Sequence, residues 1–122
     1  MPKVMLAEDD RTMLSLMSTL LEMEGFQVVK YADEQTADDL LDTLRQSKPD
    51  LAMVDIHIRQ INGLDVVRLM REDDGLKNVR VLMASGMAQD EECLAAGADS
   101  FILKPFMPDD LIKRIRALID RT

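Results

Sequence analysis

Leu51-Ala52-Met53-Val54-Asp55 is the stretch that decides how this chain folds. Four apolar residues run without alternation into a single carboxylate, between a Pro49-Asp50 break and an Asn62-Gly63 break. Such a run suits a strand buried on both faces, as at the centre of a parallel sheet. Asp55 then stands at the strand's carboxyl end. Three other runs finish the same way: Lys3–Ala7 leads into Glu8 and Asp9, Val79–Ala84 into Ser85, and Ser100–Leu103 into Lys104. Sites in open α/β sheets form at the carboxyl ends of strands, so Glu8, Asp9, Asp55, Ser85 and Lys104 are expected in one crevice.

Helical spacing fills the intervals between these runs. Met13, Leu14, Met17, Leu20 and Leu21 mark a first helix, with Asp10 placed to cap its start and Gly25 just past its end. Phe26–Tyr31 reads as a second strand, and Asp33 is expected to cap a second helix that carries Ala37, Leu40, Leu41 and Leu44 and ends at Ser47-Lys48-Pro49. Leu64, Val67 and Met70 mark a third helix, and Gly75 interrupts the polar connection after it. A fourth helix of barely two turns opens on Asp90-Glu91-Glu92 and stops at Gly97. Leu111, Ile112, Ile115, Leu118 and Ile119 mark the last, begun by Pro108-Asp109. Strict alternation of strand and helix requires right-handed crossovers and a parallel sheet covered on both faces, and five strands are too few to close a barrel. The expected fold is therefore α/β: a doubly wound (βα)5 three-layer sandwich on a parallel five-stranded sheet in the flavodoxin-like order 2-1-3-4-5. Its switch point lies between strands one and three, where Glu8, Asp9 and Asp55 meet.

The bulk properties narrow the function. The 122 residues make one domain, 1–122, with no room for a second. Fifteen basic against 23 acidic residues leave a net charge of -8, which argues against direct contact with nucleic acid. Cys93 is the sole cysteine and cannot form an intramolecular disulfide; no amino-terminal apolar segment resembles a signal peptide or a membrane span. A cytoplasmic location without membrane association is expected. The ten methionines read as core fillers.

Phosphate-binding proteins of this architecture carry glycines after the first strand, but here the loop is Glu8-Asp9-Asp10, and neither G-x-G-x-x-G nor G-x-x-x-x-G-K-[ST] occurs. Two carboxylates about 4 Å apart repel by roughly 4 kcal/mol at an effective dielectric near 20, so a cluster of them protonates or binds a cation. Hard oxygen ligands in a watered crevice favour Mg²⁺. Lys104 and Ser85 beside Asp55 would set a cation and a hydroxyl donor around transferred phosphoryl oxygens, with Asp55 as nucleophile.

On these residues the chain resembles the receiver domains of two-component response regulators over nearly its whole length. The matching motifs are the acidic pair Glu8-Asp9, the phosphoacceptor Asp55, the switch hydroxyl and small residue Ser85-Gly86, Lys104-Pro105-Phe106, and Phe101 at the aromatic switch position. The resemblance implies Mg²⁺-dependent phosphorylation of Asp55 by a histidine kinase, a histidine phosphotransfer protein or a small phosphodonor. It further implies a metal held by Glu8, Asp9, Asp55 and the backbone carbonyl of His57, and a cis bond between Lys104 and Pro105. The output would be a surface of helix four, strand five and helix five that regulates a protein partner. A switch is implied rather than an enzyme, although one that assists its own phosphorylation and dephosphorylation, and no output domain is expected within the chain. Three features depart from the family pattern. Ile58-Arg59 stand where Met-Pro is usual, Ser85 and Lys104 are closer together than usual, which shortens the fourth helix or its leading loop, and Phe101 lacks a tyrosine hydroxyl. A receiver-like binding module that works without phosphorylation is the alternative. An aspartyl-phosphate enzyme of the haloacid-dehalogenase type ranks third, because it wants a second aspartate where His57 stands.

Overall fold

Every residue from Leu51 to Asp55 is buried in the computed structural model, which describes residues 1–120. The elements follow as β1 (Lys3–Ala7), α1 (Arg11–Met23), β2 (Gln27–Lys30), α2 (Ala37–Ser47), β3 (Leu51–Asp55), β4 (His57–Ile58), β5 (Ile61–Asn62), α3 (Gly63–Glu72), β6 (Arg80–Ser85), α4 (Asp90–Ala96), β7 (Ser100–Leu103) and α5 (Pro108–Ile119). Five strands form a parallel sheet in the order β2-β1-β3-β6-β7, while β4 and β5 pair only with each other. With that small hairpin set aside, the order is the expected 2-1-3-4-5.

Alternation along β1 shows how the layers assemble, because successive side chains of a strand point to opposite faces. Val4 and Leu6 join Leu21, Leu111 and Ile115 under α1 and α5, whereas Met5 and Ala7 join Leu40, Val67 and Cys93 under α2, α3 and α4. The sheet is thus buried on both sides, and only its strand ends are free to carry polar groups. Met5, Met17, Met53, Met70 and Met83 do fill the core, but Met23, Met87 and Met107 are exposed, so the core-filler reading holds for only part of the set.

Asp10 caps α1 as expected, its Oδ1 accepting from the Met13 N–H at 3.0 Å. The expected cap of α2 is wrong: Thr36 Oγ1 accepts from the Asp39 N–H at 3.1 Å, while Asp33 lies three residues upstream at φ 65. Phe26 and Tyr31 flank β2 instead of belonging to it, and β6 extends through Ser85. The Lys104–Pro105 bond is cis.

The antiparallel pair β4/β5 is the main departure from expectation. His57 faces Asn62 and Ile58 faces Ile61, with both isoleucines buried and Arg59 at φ 57 in the turn. Asn62-Gly63 is consequently the start of α3, with Asn62 Oδ1 accepting from the Leu64 N–H at 2.9 Å. The Gly63 N–H donates to the Ile56 carbonyl at 2.6 Å, and a Cβ at Gly63 would lie 1.9 Å from the Asp55 carbonyl oxygen. Glycine is required there because the helix start passes against the backbone that presents Asp55.

Candidate metal and phosphoryl-acceptor site

β3 runs between β1 and β6, so the residues at the ends of three adjacent strands converge. Glu8 follows β1 directly and Asp55 closes β3; they are 3% and 5% exposed. One carboxylate oxygen each from Glu8, Asp9 and Asp55 lie within 4.8 Å of one another. Lys104, just past β7, sends its Nζ into this group and donates to Glu8 Oε1 and Asp55 Oδ2, both at 2.7 Å. Its backbone N–H donates to the Ser85 carbonyl at 2.8 Å, which anchors the lysine to the neighbouring strand.

Three carboxylates and one ammonium sum formally to two negative charges, so one divalent cation is their complement. Burial, reinforced by the neighbouring Glu8, pushes Asp55 up to about 8 in spite of Lys104. Burial also opposes the charge of Glu8, but hydrogen bonds from Asp55, Lys104 and the Asp10 N–H outweigh it and hold Glu8 below its ordinary value. Burial disfavours the Lys104 ammonium, yet its two carboxylate partners outweigh that and raise it. Oxygen donors alone, in excess negative charge and beside a small cavity, suit Mg²⁺. That cavity, about 90 Å³, is lined by Asp55, His57, Ser85, Gly86 and Lys104 among others.

Asp9 is held from the other side. Its Oδ2 accepts from the backbone N–H of Arg59 at 2.7 Å, and the Arg59 guanidinium pairs with Asp33 at 2.8 Å. Gln60 Nε2 donates to Gln35 Oε1 at 2.9 Å and completes the link between the hairpin and the β2–α2 loop. Arg59 stands where the family has proline. Proline has no N–H to give Asp9 and cannot adopt φ 57. From the sequence only the loss of a fixed φ was apparent, although the same substitution is what makes the donor available.

Of the residues expected in the crevice, Glu8, Asp9, Asp55 and Lys104 meet directly, and Ser85 and His57 stand on the cavity wall. The His57 side chain is exposed. Phe101 lies outside the cluster, half-buried against the α2–α4 side of the core. Ser85 is buried, but its Oγ donates to Gln89 Oε1 at 2.9 Å and accepts from the Met87 N–H at 3.1 Å. Gln89 carried no signal in the sequence beyond preceding an acidic helix start.

Known proteins share this fold. The family description of the response regulator receiver domain matches residues 4–116. The transcriptional regulatory protein CpxR of Escherichia coli is 38% identical over 123 residues, covering 100% of this chain and 51% of CpxR. The DNA-binding response regulator MtrA of Mycolicibacterium paratuberculosis is 31% identical over 119 residues, covering 98% of this chain and 52% of MtrA. The chain therefore spans about half the length of these relatives. Among solved structures, the receiver domain of the sensor histidine kinase PA1611 from Pseudomonas aeruginosa, with a magnesium ion coordinated in its active site cleft, shares the fold. Its TM-score is 0.86 at 20% identity, over 98% of each chain.

Proposed function

The chain belongs to the response regulator receiver domain family of two-component signalling, and from that premise we propose that Asp55 is its phosphoacceptor, with Mg²⁺ held by Glu8, Asp9 and Asp55. The backbone carbonyl of His57, on the cavity wall, is the fourth protein ligand in this reading. The observation that carries it is the convergence of three carboxylates, with Lys104 already bonded to the one that would react.

In this reaction a carboxylate oxygen of Asp55 attacks phosphorus. The bond from phosphorus to the donor's nitrogen or oxygen breaks, its electron pair leaving with the donor, and an aspartyl phosphate remains. Bound Mg²⁺ supplies neutralisation of the phosphoryl oxygens. Asp55 must be ionised to attack, and the Lys104 ammonium favours that state through its 2.7 Å bond. Lys104 then has a phosphoryl oxygen within reach, while Glu8 keeps hold of its other N–H. The Ser85 hydroxyl is the second hydrogen-bond donor, and Phe101 follows it as the switch is made.

Upstream, the chemistry calls for a phosphohistidine donor, either a histidine kinase or a histidine phosphotransfer protein. Downstream, the α4, β7 and α5 surface, where Leu94, Leu103 and Met107 are exposed, would meet a protein partner. The relatives named for DNA binding and transcription are about twice as long, and a net charge of -8 supports a receiver that does not itself touch nucleic acid. No helix among the described residues is long and apolar enough to cross a membrane. Residues 1–122 act in this reading as one receiver domain, a switch with no separate substrate to turn over.

Intact-mass measurement after treatment with a small acyl phosphate and Mg²⁺ tests the proposal. Wild type should gain one phosphoryl group, and Asp55→Asn or chelator-treated protein none. Phosphorylated Asp55→Asn would overturn the assignment, and an unmodified wild type would favour a binding module independent of phosphorylation.

A further inference from the structure

The Ser85 hydroxyl has one proton, and in this structure it is directed at Gln89. Ser85 Oγ lies 2.9 Å from Gln89 Oε1, and the Gln89 Nε2 lies 3.3 Å from Glu92 Oε2 in the first turn of α4. A carboxylate only accepts, so the amide nitrogen must face Glu92 and the amide oxygen must face Ser85. The second interaction of the Ser85 oxygen is as acceptor, from the Met87 N–H at 3.1 Å. The hydroxyl therefore has no second proton with which to donate to a group on Asp55.

Gln89 is also placed to couple that bond to the helix. It occupies the N-cap position of α4, yet its side chain makes no capping bond and turns back toward Ser85 instead. Its backbone carbonyl accepts from the Cys93 N–H at 3.0 Å in the first turn of α4. Because α4 has only seven residues, the loop from Gly86 to Gln89 sets where a large part of it begins.

We propose that Gln89 is a positioning residue that holds the Ser85 hydroxyl away from the phosphoacceptor, so that Ser85 reaches a phosphoryl group on Asp55 only by breaking its bond to Gln89 and releasing the start of α4. The proposal rests on Asp55 being the phosphoacceptor. Gln89 thereby opposes switching by the net worth of one neutral hydrogen bond. Its removal favours the phosphoryl-bound arrangement.

The test is the affinity for beryllofluoride, a non-covalent phosphoryl mimic, at saturating Mg²⁺. It is read from backbone amide shifts in wild type, Gln89→Ala, Gln89→Met, Ser85→Ala and the Ser85→Ala/Gln89→Ala double variant. Gln89→Ala and Gln89→Met should each bind about two- to tenfold more tightly than wild type, matching one net hydrogen bond. Gln89→Met keeps the length of the side chain and guards against fraying of α4 in the alanine variant. In the Ser85→Ala background, Gln89→Ala should change nothing, whereas a general loosening of α4 would act in both backgrounds. Unchanged or weaker binding by the Gln89 variants, or an equal gain without Ser85, would overturn the proposal. Absence of binding by wild type would overturn the phosphoacceptor reading, and the role of Gln89 with it.

Discussion

The side chains on the two rims of the Asp55 crevice are held by different kinds of bond: Asp9 as a carboxylate, Ser85 as a neutral hydroxyl. On the β1 side, Asp9 is fixed by the Arg59 N–H, Arg59 by Asp33, and Gln60 by Gln35, so that two loops are tied together across the acidic cluster. On the β6 side, Ser85, Met87, Gln89 and Glu92 form a chain in which Ser85 contributes a single neutral hydroxyl. Charge-assisted bonds are roughly twice as strong as neutral ones. On the proposed function, the difference teaches how one crevice would serve two needs. Metal ligands must stay where they are, while a switch must exchange partners for a free-energy difference of a few kcal/mol.

Gly63→Ala would break the comparison altogether, because it strikes the Asp55 backbone that both rims share. A Cβ 1.9 Å from a carbonyl oxygen forces α3 away from β3, and urea unfolding should show a loss of about 3 kcal/mol or more. Wild-type stability in this variant would mean that α3 does not pack where the structure has it.

Asp55→Asn sharpens the comparison by removing charge at its centre. The Asp55 value of about 8 lies above its ordinary 3.8, so the stability this group contributes is complete below about pH 4 and lost as pH rises through 8. Glu8 runs the other way. Its lowered value gives stability that is present above its ordinary 4.5 and lost as pH falls through the folded value, which leaves the window above 4.5 untouched. Lys104 is raised above 10.5 and keeps its contribution throughout that window. Metal-free wild type should therefore weaken between pH 5 and pH 8, while Asp55→Asn should not. The variant should be the more stable protein at pH 8 by on the order of 1–3 kcal/mol. Mg²⁺ should restore wild type selectively, and denaturation curves for the two proteins that stay parallel across this range would contradict the assignment.

A smaller effect separates the rims. Arg59→Pro removes the donor to Asp9 and cannot adopt φ 57, so it should cost about 2 kcal/mol and weaken Mg²⁺ binding. Arg59→Gly keeps the N–H and suits the left-handed backbone but gives up the exposed pair with Asp33, so its stability should change by less than about 1 kcal/mol. Magnesium titration of both variants checks this; equal Mg²⁺ affinity in the two would remove the Arg59 N–H from the account.

Much of this is legible in the amino-acid sequence. β1, β3 and β7 end where apolar runs meet polar residues, and the cluster of Glu8, Asp9, Asp55 and Lys104 follows from parallel strands whose carboxyl ends share one edge. What was not legible depended on pairing between distant segments. By residue type Asp33 is a better cap than Thr36, and only its ion pairs with Arg59 and Arg11 show that Asp33 is engaged elsewhere. The β4/β5 hairpin lacks a glycine at its turn, and Arg59 takes the left-handed conformation unannounced. Ser85 is recognisable from its place at a strand end, but its partner Gln89 lies in the loop beyond that strand, where no strand or helix period marks it.

The most direct test of the contrast between the rims is a map of backbone amide shifts recorded with Mg²⁺ alone and then with Mg²⁺ and beryllofluoride. The expected result is that Mg²⁺ accounts for nearly all the change at Asp9, Asp33 and Arg59. Beryllofluoride should then move Ser85 through Gln89, the first turn of α4 and Phe101. Shifts that beryllofluoride concentrates at Asp33 and Arg59, with Ser85 through Gln89 unmoved, would contradict it.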